Sequence, residues 1–221
     1  MGDRAAKDAL LEQFAAVGKA LGSPKRLELL DLLAQSPRSV EDRAGAAGLG
    51  LSTCSANLQT LRSAGLVETR RAGKKVYYSL AGQDVAALWD ALRSVLQRHR
   101  PHTELARLSY LGPDDTQEVD TKELMRRLAD GGVLVLDVRP RHGYDSGHIP
   151  GAFSVPVEEL EQRFAELPAD IEVVAYCRGA YCVLAYDAVQ LLTLHGRSAR
   201  RLREGMLEWR LAGMPVQSGV A

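Results

Sequence analysis

The hydrophobic period of this 221-residue chain changes at Gly112-Pro113-Asp114-Asp115. Upstream, apolar side chains recur three and four residues apart and end in a long helical pattern of Val85, Leu88, Leu92, Val95 and Leu96. Downstream, a helix opens at Asp120-Thr121 and leads through Gly131-Gly132 into Val133-Leu134-Val135-Leu136-Asp137. That run has the length and β-branching of a buried parallel strand. The break reads as a domain boundary, and the length allows one or two domains. No internal repeat or low-complexity stretch interrupts either part.

The first part reads as three short helices and a hairpin. Ser23-Pro24 starts a helix, with a capping residue and then proline in the first turn, and Leu27, Leu30 and Leu33 face one core. Ser39 and Asp42 have capping-box spacing. Ala44 and Ala47 continue that second helix, and Gly48-Leu49-Gly50 breaks it. Ser52 opens a third helix through Leu58, Leu61 and Ala64, which Gly65 ends. Residues 66–71 and 75–80 alternate as strands around Ala72-Gly73-Lys74.

This order of elements makes a helix-turn-helix followed by a basic hairpin. The third helix turns Ser52, Thr53, Ser55, Asn57, Gln59, Thr60 and Arg62 outward. These side chains suit phosphates and base edges, with Asn and Gln able to read adenine and Arg guanine. Arg70, Arg71, Lys74 and Lys75 crowd the hairpin tip, where they would grip the DNA backbone or minor groove. Up to Gly112 there are 16 Lys+Arg against 11 Asp+Glu; beyond it there are 12 against 17. The net charges of +5 and −5 suggest different partners, a polyanion for the first half, although chance partition of solvated charge gives the same pattern.

The stretches Lys19–Leu30, Ser52–Leu58, Leu61–Val67 and Gly73–Ser79 resemble the ArsR family of bacterial metalloregulatory repressors over about residues 8–100. The resemblance implies a homodimer held by its terminal helices, and a repressor that leaves double-stranded operator DNA when an inducer arrives. The family's sensing residues do not carry over. The segment Ser39–Ala47 lacks the cysteine pair of arsenic- and cadmium-sensing members. His99 and His102, with Glu104 near and Asp84 upstream, only partly match the zinc-sensing ligand set, because Ala86 stands where a histidine is expected and Pro101 separates the histidines. A metal site across a dimer and simple exposure of the histidines at a helix end are both compatible with this. No metal and no cofactor are assigned. Cys54 shares the inward face of Leu58 and Leu61, as a small buried hydrophobe or as a redox-active or sulfur-accepting thiol.

The second part alternates strand and helix, which predicts an α/β fold with a mainly parallel sheet. Strands are expected at Val133–Asp137, Glu172–Tyr176 and Arg200–Leu202, with another near Phe153–Val155. Helices are expected at Thr121–Ala129, Val157–Ala165, Val183–Leu194 and Gly205–Ala212. At its centre, Val173-Val-Ala-Tyr-Cys177-Arg-Gly-Ala-Tyr-Cys182-Val183 puts Cys177 just past an apolar strand and before a helix. Loop N–H groups and the helix dipole there would favour a thiolate and hold an anion, and Arg178 adds positive charge. Gly179, Ala180 and Tyr181 form the rest of this anion loop. Cys182 is either a thiol that resolves a Cys177 persulfide into a disulfide, or a helix cap that packs inward.

Leu136–Pro140, Tyr144–Ala152 and Leu202–Val216 resemble signatures of the rhodanese family, over about residues 116–217. The resemblance implies that Cys177 is the nucleophile that takes sulfane sulfur as a persulfide, from a donor such as thiosulfate or polysulfide, in a rhodanese-type sulfurtransferase activity. It leaves Asp137, Arg139 and His148 as buried anchors, and Glu204-Gly205 departs from the family's glycine pair. In a related phosphatase branch an arginine follows the cysteine after five residues; Val183 holds that position here and Tyr176 replaces its histidine, which favours sulfur transfer. The expected organisation is a mainly α winged helix-turn-helix DNA-binding and dimerisation domain over residues 1–111, a linker over 112–117 and an α/β rhodanese-like domain over 118–221.

Composition narrows the context. No apolar run approaches the length of a membrane span, and Met1–Leu11 has no apolar core of a signal peptide. Three cysteines in such a chain point to separate thiols in a reducing cytoplasm. The combined expectation is a repressor whose DNA binding answers to reactive sulfur or redox state through Cys177. Two alternatives stand beside it: a sulfurtransferase tethered to a repressor with an unrelated inducer, and a repressor that takes arsenite or another soft metal on Cys177 and Cys182.

Overall fold

In the computed structural model, helix α1 (Arg4–Leu21) is followed by α2 (Pro24–Gln35), which starts as expected with Ser23 at the N-cap and proline at the first position. The structure describes residues 3–73, 75–100, 102–112 and 116–219, without the side chains of residues 41–43. The proposed Asp42 capping partner, Lys74 and the linker residues Pro113, Asp114 and Asp115 therefore lie outside the described set. The chain divides into two compact units, Met1–Trp89 and Asp90–Ala221.

In the first unit, β1 (Arg38–Ser39) leads into α3 (Val40–Ala46), then α4 (Leu51–Ser63), β2 (Val67–Ala72) and β3 (Lys75–Leu80). Gly50, not Ser52, occupies the N-cap of α4, so the helix begins one residue early, at Leu51. The hairpin closes with Ala72 opposite Lys75 across a two-residue turn, where Gly73 takes the positive φ of 60° that such turns require. β1 adds to β3, with Arg38 opposite Tyr78, giving an antiparallel sheet of order β1-β3-β2. Leu29, Leu30, Leu33, Leu58, Leu61 and Tyr78 fill the core, and Leu27 is only half-buried. The unit boundary falls within α5 (Gln83–His99), whose first turns belong to the first unit and last turns to the second.

The second unit continues with α6 (His102–Leu111), β4 (Glu118–Val119), α7 (Thr121–Ala129), β5 (Val133–Asp137), α8 (Arg141–Asp145) and β6 (Phe153–Ser154). It ends with β7 (Glu172–Tyr176), α9 (Val183–Leu194), β8 (Ala199–Leu202) and α10 (Met206–Leu211). All pairings are parallel, in the order β4-β8-β7-β5-β6. Asp120 caps α7 by accepting from the Glu123 N–H at 2.8 Å. The helix expected over Val157–Ala165 is not α-helical. Two 3-10 turns, Val157–Glu159 and Phe164–Glu166, replace it, closed by i→i+3 bonds such as Leu160 N to Val157 O. Val157 and Leu160 face the core three residues apart, a spacing a 3-10 turn satisfies directly.

Strand alternation sorts the second unit's core onto the two sheet faces. Val173, Ala175 and then Cys177 join Leu136 and α9 on one face; Val174 and Tyr176 join Val133, Val135, Met206 and Trp209 on the other. Among the described residues no helix is long and apolar enough to cross a membrane.

Candidate functional site: a cysteine loop and a basic helix-hairpin surface

Because side chains alternate along β7, Tyr176 and Cys177 leave the strand in opposite directions. Tyr176 enters a buried polar cluster: its hydroxyl donates to Asp137 Oδ2 at 2.6 Å and accepts from the Ile149 N–H at 3.1 Å. Arg139 grips Asp137 with its guanidinium (2.6 Å) and its backbone N–H (3.0 Å). Burial, reinforced by the Asp137 charge, pushes the Tyr176 phenol well above its usual value, so it remains a donor. His148 stacks on Tyr144 at 3.6 Å, with Nδ1 held by the Tyr144 carbonyl at 2.9 Å. These groups anchor the ends of β5 and β7 from the face opposite Cys177.

Cys177 points toward α9, where Cys182 occupies the N-cap, and the two sulfurs are bonded. Their Cα atoms lie 6.1 Å apart, within ordinary disulfide reach, and the residues are 2% and 5% exposed. This corrects the expectation of three separate thiols: the five-residue path from Cys177 to Cys182 folds back, with the Cys182 N–H on the Gly179 carbonyl at 3.0 Å. Cys182 packs inward at the N-cap of α9, without a side-chain hydrogen bond to the helix, and its sulfur meets that of Cys177. Cys54 is a fully buried thiol of the first unit's core, with Sγ 3.8 Å from the Val40 carbonyl.

Parts of the site that sequence reasoning missed come from α10 and α5. The N–H groups of Met206 and Leu207 bond the carbonyls of Cys177 and Arg178 at 3.0 and 3.2 Å. A side chain on Gly205 would run into the backbone of Gly179 and Arg178, so glycine is needed where α10 meets the loop. Glu208 caps Gly205 N at 2.8 Å and ion-pairs Arg93 at 2.6 Å, and the Arg93 guanidinium lies over the Tyr181 ring at 5.4 Å. The half-matched Glu204-Gly205 pair was the one available signal; nothing marked Arg93. Glu204 itself accepts from the Thr121 N–H at 3.0 Å.

In the first unit, Ser52, Thr53, Gln59, Thr60, Arg62, Arg70, Arg71 and Lys75 are exposed, and Ser55 and Asn57 half-buried. Some polar ends are already engaged. Asn57 donates to the Thr53 carbonyl at 2.9 Å, Gln59 to the Tyr78 hydroxyl at 3.1 Å and Thr60 to the Ala56 carbonyl at 3.1 Å. The Gln59–Tyr78 bond ties α4 to the hairpin. No group of three His, Cys, Asp or Glu able to hold a metal occurs among the described residues, and Glu104 pairs with Arg107.

A helix-turn-helix with a β-hairpin wing, joined to a parallel α/β domain with a strand-end cysteine loop, defines a DNA-binding regulator class that carries a rhodanese-like domain. Residues 23–69 match the family model "Bacterial regulatory protein, arsR family", and residues 120–212 the "Rhodanese-like domain". The HTH-type transcriptional regulator Rv0324 of Mycobacterium tuberculosis is 52% identical over 214 residues, spanning 96% of this chain and 94% of that one. A sulfurtransferase of Allochromatium vinosum is 35% identical over 101 residues, 45% of this chain and 92% of its own. The homodimeric winged helix-turn-helix domain of a possible ArsR-family regulator from Mycobacterium bovis is 53% identical, covering 46% of this chain and 93% of that one, with a TM-score of 0.43. The chain belongs to the ArsR family of transcriptional regulators, in a form that carries a C-terminal rhodanese-like domain.

Proposed function

We propose that this regulator binds operator DNA through residues 1–111 as a homodimer, and that residues 118–221 accept sulfane sulfur on Cys177 and thereby weaken that binding. The observation that carries the reading is the Cys177–Cys182 pair at the carboxyl end of β7, two sulfurs within bonding reach. The Cys177 thiolate attacks the outer sulfur of thiosulfate, forming Cys177–S–S⁻ and releasing sulfite. After protonation, the Cys182 thiolate attacks the Cys177 sulfur, leaving the disulfide and expelling hydrosulfide. The thiol pair is oxidised by two electrons and the sulfane sulfur is reduced to sulfide.

DNA contact falls to Ser52, Thr53, Ser55, Asn57, Gln59, Thr60 and Arg62 on α4 and to Arg70, Arg71, Lys74 and Lys75 at the wing. Self-association is supported by apolar side chains left exposed on α1 (Leu10, Leu11, Phe14) and α5 (Leu88, Leu92, Val95, Leu96). A second reading, a working sulfurtransferase on a repressor with another inducer, is favoured by the similarity to the Allochromatium protein.

The test is operator affinity by fluorescence anisotropy at fixed salt, with and without polysulfide, for wild type and Cys177→Ser. Wild type is expected to lose affinity by about 5- to 150-fold, the usual span of allosteric coupling, and Cys177→Ser to lose none. Equal affinities throughout, with brisk thiosulfate turnover, would establish the second reading. Release by arsenite without a sulfur donor would move the inducer to a soft metal bound by Cys177 and Cys182.

A further inference from the structure

The cysteine loop has an outer wall as well as a buried one. Ala180 and Tyr181, which lie between the two cysteines in sequence, line a cleft of about 370 Å³ within the second unit. Four arginines line the same cleft: Arg100, Arg107, Arg201 and Arg203. Two carboxylates, Glu104 and Glu118, oppose them, a formal excess of two positive charges among the described residues that line the cleft.

Three of these arginines are held in place. The side chain of Arg201 is only 4% exposed; it ion-pairs with Glu118 and stacks over the Tyr186 ring, 4.0 Å from the centroid. Arg203 shares Glu118 at 3.1 Å. Arg107 pairs with Glu104 at 2.7 Å and donates to the Tyr186 hydroxyl at 3.3 Å. Planar guanidiniums fixed in this way match carboxylate and phosphate oxygens without further ordering cost. An anion entering the cleft relieves the repulsion among like charges gathered in a space larger than a thiosulfate ion needs.

We infer that this cleft holds the anionic body of an organic thiol persulfide, a small thiol bearing carboxylates or phosphates, and presents its terminal sulfur to the adjacent loop. The inference rests on the proposed sulfur-accepting role of Cys177. In the transfer, the Cys177 thiolate attacks the outer sulfur of R–S–SH. The new bond makes Cys177–S–SH, the R–S to sulfur bond breaks, and R–S⁻ leaves. Carboxylate and phosphate bodies share the chemistry that the arginines recognise.

The experiment is calorimetric titration of the full-length chain with S-methylglutathione and, separately, S-methyl-coenzyme A, two bodies that cannot reduce the disulfide. Titrations are run on wild type, on Cys177→Ser and on the double variant Arg100→Gln, Arg203→Gln, which changes exposed residues only. Saturable binding is expected for one body, equal in Cys177→Ser and at least tenfold weaker in the double variant. Which body binds decides between carboxylate and phosphate. In parallel, the double variant is expected to raise KM for the matching persulfide by a similar factor while leaving transfer from inorganic polysulfide unchanged. Absence of binding by both bodies, or equal binding by the double variant, overturns the cleft assignment even where polysulfide still loads Cys177. Binding without any sulfur reaching Cys177 overturns instead the sulfur-accepting reading, and with it the identity of the ligand as a donor.

Discussion

Gly205 shows how closely the cysteine loop depends on single residues. Its missing side chain lets α10 approach the loop backbone, and the Met206 and Leu207 N–H groups then hold the Cys177 and Arg178 carbonyls. The obstacle to a larger residue is backbone, which cannot swing aside as a flexible side chain does. Gly205→Ala is therefore expected to cost about 1–3 kcal/mol in urea unfolding and to slow sulfur loading of Cys177. An unchanged midpoint with normal loading would mean that the loop yields without penalty. On the opposite face the Asp137–Arg139–Tyr176 cluster satisfies its own charges and hydrogen bonds, which makes it a support for β5 and β7.

At the scale of elements, α4 and the β2–β3 hairpin form one basic unit because Gln59 reaches Tyr78. Arg70 and Arg71 stand exposed on β2, with Arg70 5.8 Å above the Tyr77 ring. Cationic side chains that contact phosphates bring counterion release with them. Arg71→Ala is expected to weaken operator and non-operator DNA alike, and to reduce the slope of log affinity against log salt by about 0.9. Anisotropy at several salt concentrations measures it; an altered base preference with an unchanged slope would assign Arg71 to base reading instead. Asn57 sits differently. Its amide already bonds the helix backbone, so contact with a base edge requires that bond to be exchanged.

On the scale of the whole molecule, α5 is the element whose residues belong to both units, and Arg93 is its link to the cysteine loop through Glu208 and Tyr181. Burial, and after it the Glu208 charge, raise the Asp90 carboxyl above its usual range, while the Arg93 charge opposes them. The pair Arg93→Gln with Glu208→Gln keeps a hydrogen-bonding geometry and removes both charges. Operator affinity without donor is expected to stay within about twofold, while the loss of affinity caused by polysulfide shrinks by roughly 1 kcal/mol or more. A full response in that variant would show that the signal takes another route. The opposite net charges of the two sequence halves, +5 and −5, fit a division between a polyanion-binding part and a part with other partners.

Both domains were legible in the sequence because their periods differ: leucines at helical spacing around Ser23-Pro24 and Ser52, then β-branched runs ending at Asp137 and Tyr176. Local patterns also located Cys177, since an apolar run followed by Cys-Arg-Gly is visible in one dimension. The helix expected at Val157–Ala165 failed because leucine-like spacing of three suits a 3-10 turn as well as an α-helix. β4 was too short to leave a pattern: two residues gain their partners only when β8 comes alongside. The Cys177–Cys182 bond, the seat of Gly205 on Gly179, the Arg93–Glu208 pair and the arginine cleft were decided by tertiary structure alone. Periodicity and capping act over a few neighbouring residues, so sequence carries them openly. Contacts such as Arg93 with Glu208 join residues 115 positions apart, and no local preference records which distant side chain folding will bring near.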